Sequence, residues 1–364
     1  MNKRRVVVAM SGGVDSSLAA AILKENNYDV IGITMQIWLR EAEVQGRFGG
    51  CCGVEAIDSA RQVAYKLGIA HYVVNLRDIF TRRVVTDFCQ EYSLGRTPNP
   101  CIRCNQYVKF EALLRRAREI DADFLATGHY ARIDHLPDGY RLLKAVDQDK
   151  DQSYFLYTLG QNELRHLLFP IGNLVKREVR ELSARLGLPT ANRPASQDIC
   201  FIPDDYRSFI VGHVPLRPGD ILDTEGNVLG KHSGLAQYTV GQRQGLGISS
   251  NERRYVLRMD AAANQLVVGT RDQLLSSDLF ADNLSWVSGV APAEPTGITA
   301  KIRYQAPETV VNLHINDSTA EVRFDRPQSA ITPGQAVVFY QGEVVLGGGI
   351  IEVGGKLRES RRTA

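Results

Sequence analysis

The sequence predicts an α/β protein in three parts: a doubly wound parallel-sheet domain over residues 1–210, a small β-rich central domain over 211–279 and a C-terminal β-barrel over 280–364. Three observations carry that prediction. Apolar runs of strand length alternate with helical stripes through the first half, the pattern of a parallel sheet covered by helices. Beyond about residue 210 the turn signals PLRPGD, DTEGN, GKHSG and GLGISSNE crowd around short strands. From about 280 the chain is strand and turn alone, at the near-regular spacing of a small barrel.

In order, residues 4–10 (RRVVVAM) read as a short buried strand, followed by a helix with its apolar stripe at Leu18, Ala21 and Ile22. Residues 29–38 (DVIGITMQIW) form the second strand. Ile57, Ala60, Ala64 and Leu67 make the next helical stripe, closed by Gly68. Residues 71–76 (HYVVNL) and 124–130 (FLATGHY) are strands on either side of a helix marked by Phe80, Val84 and Phe88. A later helix carries Val179, Leu182 and Leu186 and stops at Gly187. The central part contributes YVLRM and QLVVG, and the barrel LSWVSG, ITAKIRYQ, TVVNLHI, AEVRFD and AVVFYQGEVVLGGGII. The basic terminus KLRESRRTA is expected to fray.

A chain of 364 residues is long enough for two or three separate cores. Its 44% apolar and 23% charged residues are those of a globular protein. The formal net charge of +2 means that a nucleic-acid surface must be a local patch rather than a global field. The apolar run after Lys3, Arg4 and Arg5 is too short for a signal peptide, and no run approaches a membrane span. These features predict a cytoplasmic protein without membrane contact, in which the six cysteines are reactive or metal-binding rather than structural disulfides.

Residues 9–16 (AMSGGVDS) break a strand and run straight into a helix. Gly12 and Gly13 let successive amides turn into one concavity, Ser11 and Ser16 add hydroxyls, and the helix presents its positive end, which together suit a phosphate or pyrophosphate. The Gly-Lys-Ser/Thr end of a Walker loop is missing, as is G-x-G-x-x-G, which disfavours transfer of a terminal phosphoryl group. Asp15 would repel a bare phosphate and is expected to face a magnesium ion that accompanies the nucleotide.

Residues 97–110 (TPNPCIRCNQYVKF) predict an irregular loop before a helix, displaying Cys101 and Cys104 where a helix N-terminus, Arg103 and Lys109 favour thiolate. The C-x2-C spacing leaves a redox pair, zinc or iron–sulfur ligation open, zinc being weakest because nothing nearby completes a tetrahedron. Residues 195–203 (ASQDICFIP) set Cys200 between Asp198 and an apolar pair, which by itself reads as a buried, inert thiol. Cys51 and Cys52 are adjacent and so poor joint ligands, and Cys89 reads as core.

SGGVDS resembles the pyrophosphate loop of the N-type ATP pyrophosphatases, which cleave ATP to AMP and pyrophosphate while adenylating an oxygen of their substrate. MSGGVDSS, TPNPCIRCNQYVKF, ATGHYAR, KDQSYFLY, ASQDICFI, YTVGQRQGLGI and VFYQGEVVLGGGII, in that order over residues 9 to about 350, resemble the bacterial tRNA-specific 2-thiouridylase family. The resemblance makes residues 1–210 the catalytic ATP-pyrophosphatase domain and the barrel an RNA-contacting domain. It implies ATP binding by Ala9, Met10, Ser11, Gly12, Gly13, Val14, Asp15, Ser16, Met35 and Gly128. It implies Cys104 as nucleophile and Cys200 as the persulfide-bearing cysteine. The tRNA contacts it implies are Asn99, Pro100, Cys101, His129, Lys150, Asp151, Gln152, Arg303, Tyr304 and Gln335. One position departs from the family's pattern: Cys101 stands where an aspartate able to act as general acid or base is usual.

The activity so implied is ATP-dependent 2-thiolation of the wobble uridine of tRNA, with ATP and Mg2+ as cofactors and no resident metal. Its partners are tRNA and a persulfide sulfur-donor protein, and the chain is expected to be monomeric. Two alternatives share parts of the pattern. One is the same thiolation through a [4Fe–4S] cluster on Cys101, Cys104 and Cys200; the other is a small-molecule ligase that needs the ATP loop alone. The persulfide route is preferred, because C-x2-C with one distant cysteine is a weak cluster signature.

Overall fold

Val6, Val7 and Val8 are wholly buried and point alternately into two cores, Val7 into one and its two neighbours into the other. A strand with no solvent side is the centre of a sheet covered on both faces, which is why RVVVA has no polar alternation. The computed structural model describes residues 3–37, 54–194, 199–202, 205–249, 252–293 and 296–352. Trp38, Cys51, Cys52, Asp198 and the terminal KLRESRRTA lie outside the described residues.

In chain order the first domain contributes β1 (Arg5–Ala9), β2 (Asp29–Gln36), β3 (Ala70–Asn75), β4 (Phe124–Thr127), a hairpin of β5 (Arg132–Leu136) and β6 (Gly139–Leu143), and the two-residue β7 (Leu167–Leu168). Five of these make a parallel sheet of order β3-β2-β1-β4-β7. The order reverses between β1 and β4, so the crevice at their carboxyl ends is the topological switch point where open α/β sheets bind ligands. Helices Val14–Glu25, Val54–Leu67 and Lys176–Arg185 follow the predicted stripes. Two longer helical runs, 77–93 and 100–119, lie side by side, and each contains a π-helical stretch, Thr81–Val85 and Cys104–Leu113.

The central sheet, of order β10-β11-β8-β9, is built from β8 (Gly219–Leu222), β9 (Val228–His232), β10 (Tyr255–Asp260) and β11 (Gln265–Gly269). The barrel strands are β12 (Leu275–Trp286), β13 (Thr299–Lys301), β14 (Thr309–Asn316), β15 (Thr319–Ser329), β16 (Ala336–Gln341) and β17 (Val344–Glu352). β12 pairs with both β15 and β17, which closes the six strands.

Two features differ from the sequence expectation. The run FLATGHY is strand only to Thr127; Gly128, His129 and Tyr130 leave the sheet to enter the switch-point crevice. The hairpin β5–β6, expected as part of the first domain, adds to the barrel's β17 through Val344 opposite Leu143 and Val345 opposite Leu142. The barrel is thereby fused to the first domain. Val337 and Phe339 face the barrel interior, while Ala336, Val338 and Tyr340 join the first domain's core, so β16 is apolar on both sides. Buried Lys144 completes the joint, 2.6 Å from the Glu308 carboxylate and donating to Gly342 O at 2.7 Å.

Candidate active site

The loop after β1 is shaped by its glycines and serines. Met10 N still donates to Ile33 O at 2.8 Å, and the Thr34 hydroxyl donates to Met10 O at 2.8 Å, so the strand is held until the turn begins. Gly12 has φ +70, and a Cβ there would fall 2.3 Å from Ala56 O; neither the conformation nor the space admits a side chain. Ser16 Oγ accepts from Ser11 N at 3.1 Å and donates to Gly13 O at 3.3 Å, and Ser17 Oγ also donates to Gly13 O at 2.8 Å. The serines thus brace the loop, while the first amides of the helix that starts at Val14 have no intrahelical acceptor and suit an anion. Gly128, one residue beyond β4, lies so close that a Cβ would sit 2.6 Å from Ser16 N. Met35, near the end of β2, is buried in the core that also contains Cys104.

Asp15 does not stand open for a metal ion, contrary to expectation. Its carboxylate accepts from Lys176 Nζ at 2.6 and 2.7 Å and from the Tyr130 hydroxyl at 2.7 Å. Lys176 reaches the loop from the start of the helix Lys176–Arg185, where no local spacing announces it. Arg193 adds a second distant cation, donating to Gly12 O at 2.9 Å. Among the described residues no group of three or more His, Cys, Asp or Glu side chains is arranged to hold a metal ion. Cys101, Cys104 and Cys200 likewise form no metal-holding group, so nothing here supports a cluster.

The cysteine segment is helical from Pro100, not a displayed loop. Asn99 is the N-cap, its Oδ1 accepting from Ile102 N at 3.4 Å, and Pro100 fills the first helical position, where it loses no hydrogen bond. Cys101 is exposed in that first turn, whereas Cys104 is 8% exposed at the start of the π-helical stretch. Half-buried Cys200 packs against the same core as Cys104. Its neighbour Phe201 anchors the segment by edge-on contacts with Phe80 and Phe88, both at 5.4 Å, on the helical run beside the cysteine helix. Cys89 is half-buried, and burial pushes its thiol up.

Several residues expected to touch RNA are committed inward. His129 lies between Phe110 and Phe169, with Nδ1 2.7 Å from Thr127 Oγ1 and Nε2 3.4 Å from Lys109 Nζ. Burial, then the Lys109 charge, hold its pKa well below the ordinary imidazole value. Asp151 is 3% exposed and accepts from Ala145 N at 2.9 Å and Ser153 Oγ at 2.7 Å, which makes it a brace for its loop. Gln152 accepts from Tyr130 N at 3.0 Å, while Lys150 is exposed. On the barrel, Gln335 Nε2 donates to Thr97 O at 2.9 Å and Pro98 O at 3.3 Å, fastening the segment that leads into the cysteine helix. Tyr304 packs against Phe155 with ring centres 4.5 Å apart and the planes tilted by 38°, and Arg303 is exposed beside it.

A nucleotide-type anion loop at the switch point of a parallel α/β sheet, with a cysteine helix packed on the sheet's core and a barrel bolted alongside, defines an ATP-using α/β enzyme class with an appended barrel. Residues 4–204 match the family described as "tRNA methyl transferase HUP domain", 207–270 its PRC-barrel domain and 276–351 an "Aminomethyltransferase beta-barrel domain". The curated "tRNA-specific 2-thiouridylase MnmA" of Acetivibrio thermocellus is 50% identical over 359 residues, covering 97% of this chain and 100% of that one. Its namesake from Geotalea uraniireducens is 53% identical over 362 residues, 96% of each chain, and that from Halothermothrix orenii 48% over 353 residues, 96% of this chain and 99% of its own. The chain belongs to the MnmA family of tRNA-specific 2-thiouridylases.

Proposed function

We propose that this protein is an ATP-dependent tRNA-uridine 2-sulfurtransferase. The uridine O2 attacks the α-phosphorus of ATP, pyrophosphate leaves and the N3 proton is released, giving an O2-adenylated base. A persulfide on Cys200, loaded by a sulfur-donor protein, then delivers its outer sulfur to C2 and AMP departs. Cys104 attacks the inner sulfur, freeing the 2-thiouridine and closing a Cys104–Cys200 disulfide that an external dithiol reopens. The variant route, in which Cys104 first releases hydrosulfide, ends in the same disulfide.

The observation that carries the reading is the union of an anion loop at the switch point with Cys104 and Cys200 on one core that also contains Met35. Gly128 belongs to the ATP site through its close approach to Ser16. Lys150, Arg303 and the Tyr304–Phe155 ring pair supply charge and aromatic surface suited to a splayed, single-stranded anticodon loop. Asn99, Asp151, Gln152 and Gln335 shape that surface by holding backbone. Methyl transfer, which the family description names, would use neither a triphosphate loop nor two cysteines. Mg2+ travels with ATP; the chain acts as a cytoplasmic monomer.

The test supplies ATP, unmodified tRNA and a persulfide-loaded donor, and quantifies nucleotides and nucleosides. AMP, pyrophosphate and 2-thiouridine should appear in equal amounts. ADP with phosphate, or a methylated uridine, would overturn the assignment.

A further inference from the structure

Lys109 is held by two groups, one on the cysteine helix and one on the segment that follows β4. Its ammonium donates to Asn105 Oδ1 at 2.8 Å, next to Cys104 on the cysteine helix. It lies 3.4 Å from His129 Nε2, one residue beyond the Gly128 that abuts the anion loop. Asn105 is itself 3% exposed and fixed by donating from Nδ2 to Phe155 O at 3.1 Å, on the residue whose ring packs against Tyr304. A lysine has no acceptor, so His129 Nε2 must accept and its Nδ1–H must donate to Thr127 Oγ1.

This arrangement orients the ammonium without neutralising it. Among the described residues, both groups within its hydrogen-bonding reach are uncharged, whereas Lys176 is already matched by Asp15. Among the described residues, two of its three N–H bonds are directed to protein, which leaves one for a ligand. The side chain is half-buried, so the charge is only partly screened by water.

We infer that Lys109 binds the α-phosphate of the adenylated uridine and stabilises the charge that develops there. The inference rests on the function proposed above. The adenylated base carries one negative charge on that phosphate, and AMP gains a second as the C2–O2 bond breaks. A preoriented cation between the anion loop and the nucleophile acts on both steps. His129 serves as a positioning residue for Lys109.

The test uses full-length wild type, Lys109→Gln, Lys109→Arg and Lys109→Ala. Wild-type formation of AMP and 2-thiouridine is the control that separates failure of the functional reading from failure of this inference. Pyrophosphate release in a single turnover, with tRNA and ATP but no sulfur donor, isolates adenylation. Lys109→Gln should slow it on the order of 100-fold, with tRNA affinity and melting temperature close to wild type. Lys109→Arg should regain at least a tenth of the wild-type rate, and added methylammonium should accelerate Lys109→Ala, which a purely structural role would not allow. Adenylation at the wild-type rate with only sulfur transfer impaired would reassign Lys109 to Cys104 and overturn the inference. So would an adenylation loss that neither arginine nor methylammonium relieves.

Discussion

Replacing Lys176 by methionine probes the ion pair at the heart of the anion loop. The Lys176 and Asp15 side chains are 16% and 32% exposed and joined by bonds of 2.6 and 2.7 Å. Exposed pairs contribute about 0–1 kcal/mol and breaking a buried one costs about 3–5 kcal/mol, so this partly buried pair should cost about 2 kcal/mol of stability. The effect on ATP should be larger. Among the described residues Asp15 then keeps only the Tyr130 hydroxyl, and an uncompensated carboxylate about 6 Å from a bound phosphate repels it by about 3 kcal/mol at an effective dielectric near 20. ATP affinity should fall on the order of 100-fold. The double variant Asp15→Asn/Lys176→Met removes the repulsion and should recover about tenfold of that loss. Titration calorimetry with a non-hydrolysable ATP analogue reads both, with tRNA affinity as the control. Binding by Lys176→Met within threefold of wild type, or a double variant no better than the single, would refute the reasoning.

Three further outcomes follow from the geometry. Because burial and Lys109 depress the folded-state pKa of His129, the unfolded chain takes up its proton first. Its contribution to stability is complete above about pH 6.5 and is lost as pH falls from there towards the folded value. His129→Gln should flatten the melting-temperature profile from about pH 5 to about pH 7.5. Gln335→Ala frees the carbonyls of Thr97 and Pro98 and should cost about 1–2 kcal/mol by chemical denaturation, slowing thiolation while ATP affinity holds. Cys101→Asp places an anion in the exposed first turn of the cysteine helix, stabilising it by about 0.5 kcal/mol; anaerobically purified protein should keep its thiolation rate, and a rate that falls together with bound iron would revive the cluster route.

The parallel sheet and the anion loop were legible because both are written locally. β1 is an unbroken apolar run, the helices carry clean stripes, and Gly12, Gly13, Ser11 and Ser16 sit within six residues of one another. What stayed hidden depends on contacts across long stretches of sequence. Lys176 reaches Asp15 from 161 positions away, and neither residue's neighbours hint at the other. Asp151 and Gln335 have the polarity of exposed binding residues, but backbone groups brought in by the fold occupy them. AVVFYQ reads as a barrel strand either way; its two-sided burial arises only because the β5–β6 hairpin and Tyr154, whose hydroxyl donates to Ala336 O at 2.9 Å, press the first domain against it. The cysteine segment has the local signature of a loop yet is helical, because Pro100, a breaker in a helix interior, is favoured at a first position behind an Asn cap.

In the proposed reaction sulfur passes from Cys200 to C2 of uridine at the expense of ATP, with Cys104 completing the exchange. The most direct measurement loads Cys200 with an isotopically labelled persulfide, removes the donor, and follows one turnover with ATP and tRNA. The account predicts one labelled 2-thiouridine and one AMP per loaded protein, together with a Cys104–Cys200 disulfide found by peptide mapping. Cys104→Ser should leave the label on the protein or linked to tRNA through Cys200. Label that reaches uridine without AMP formation, or that transfers at the wild-type rate from Cys104→Ser, would contradict it.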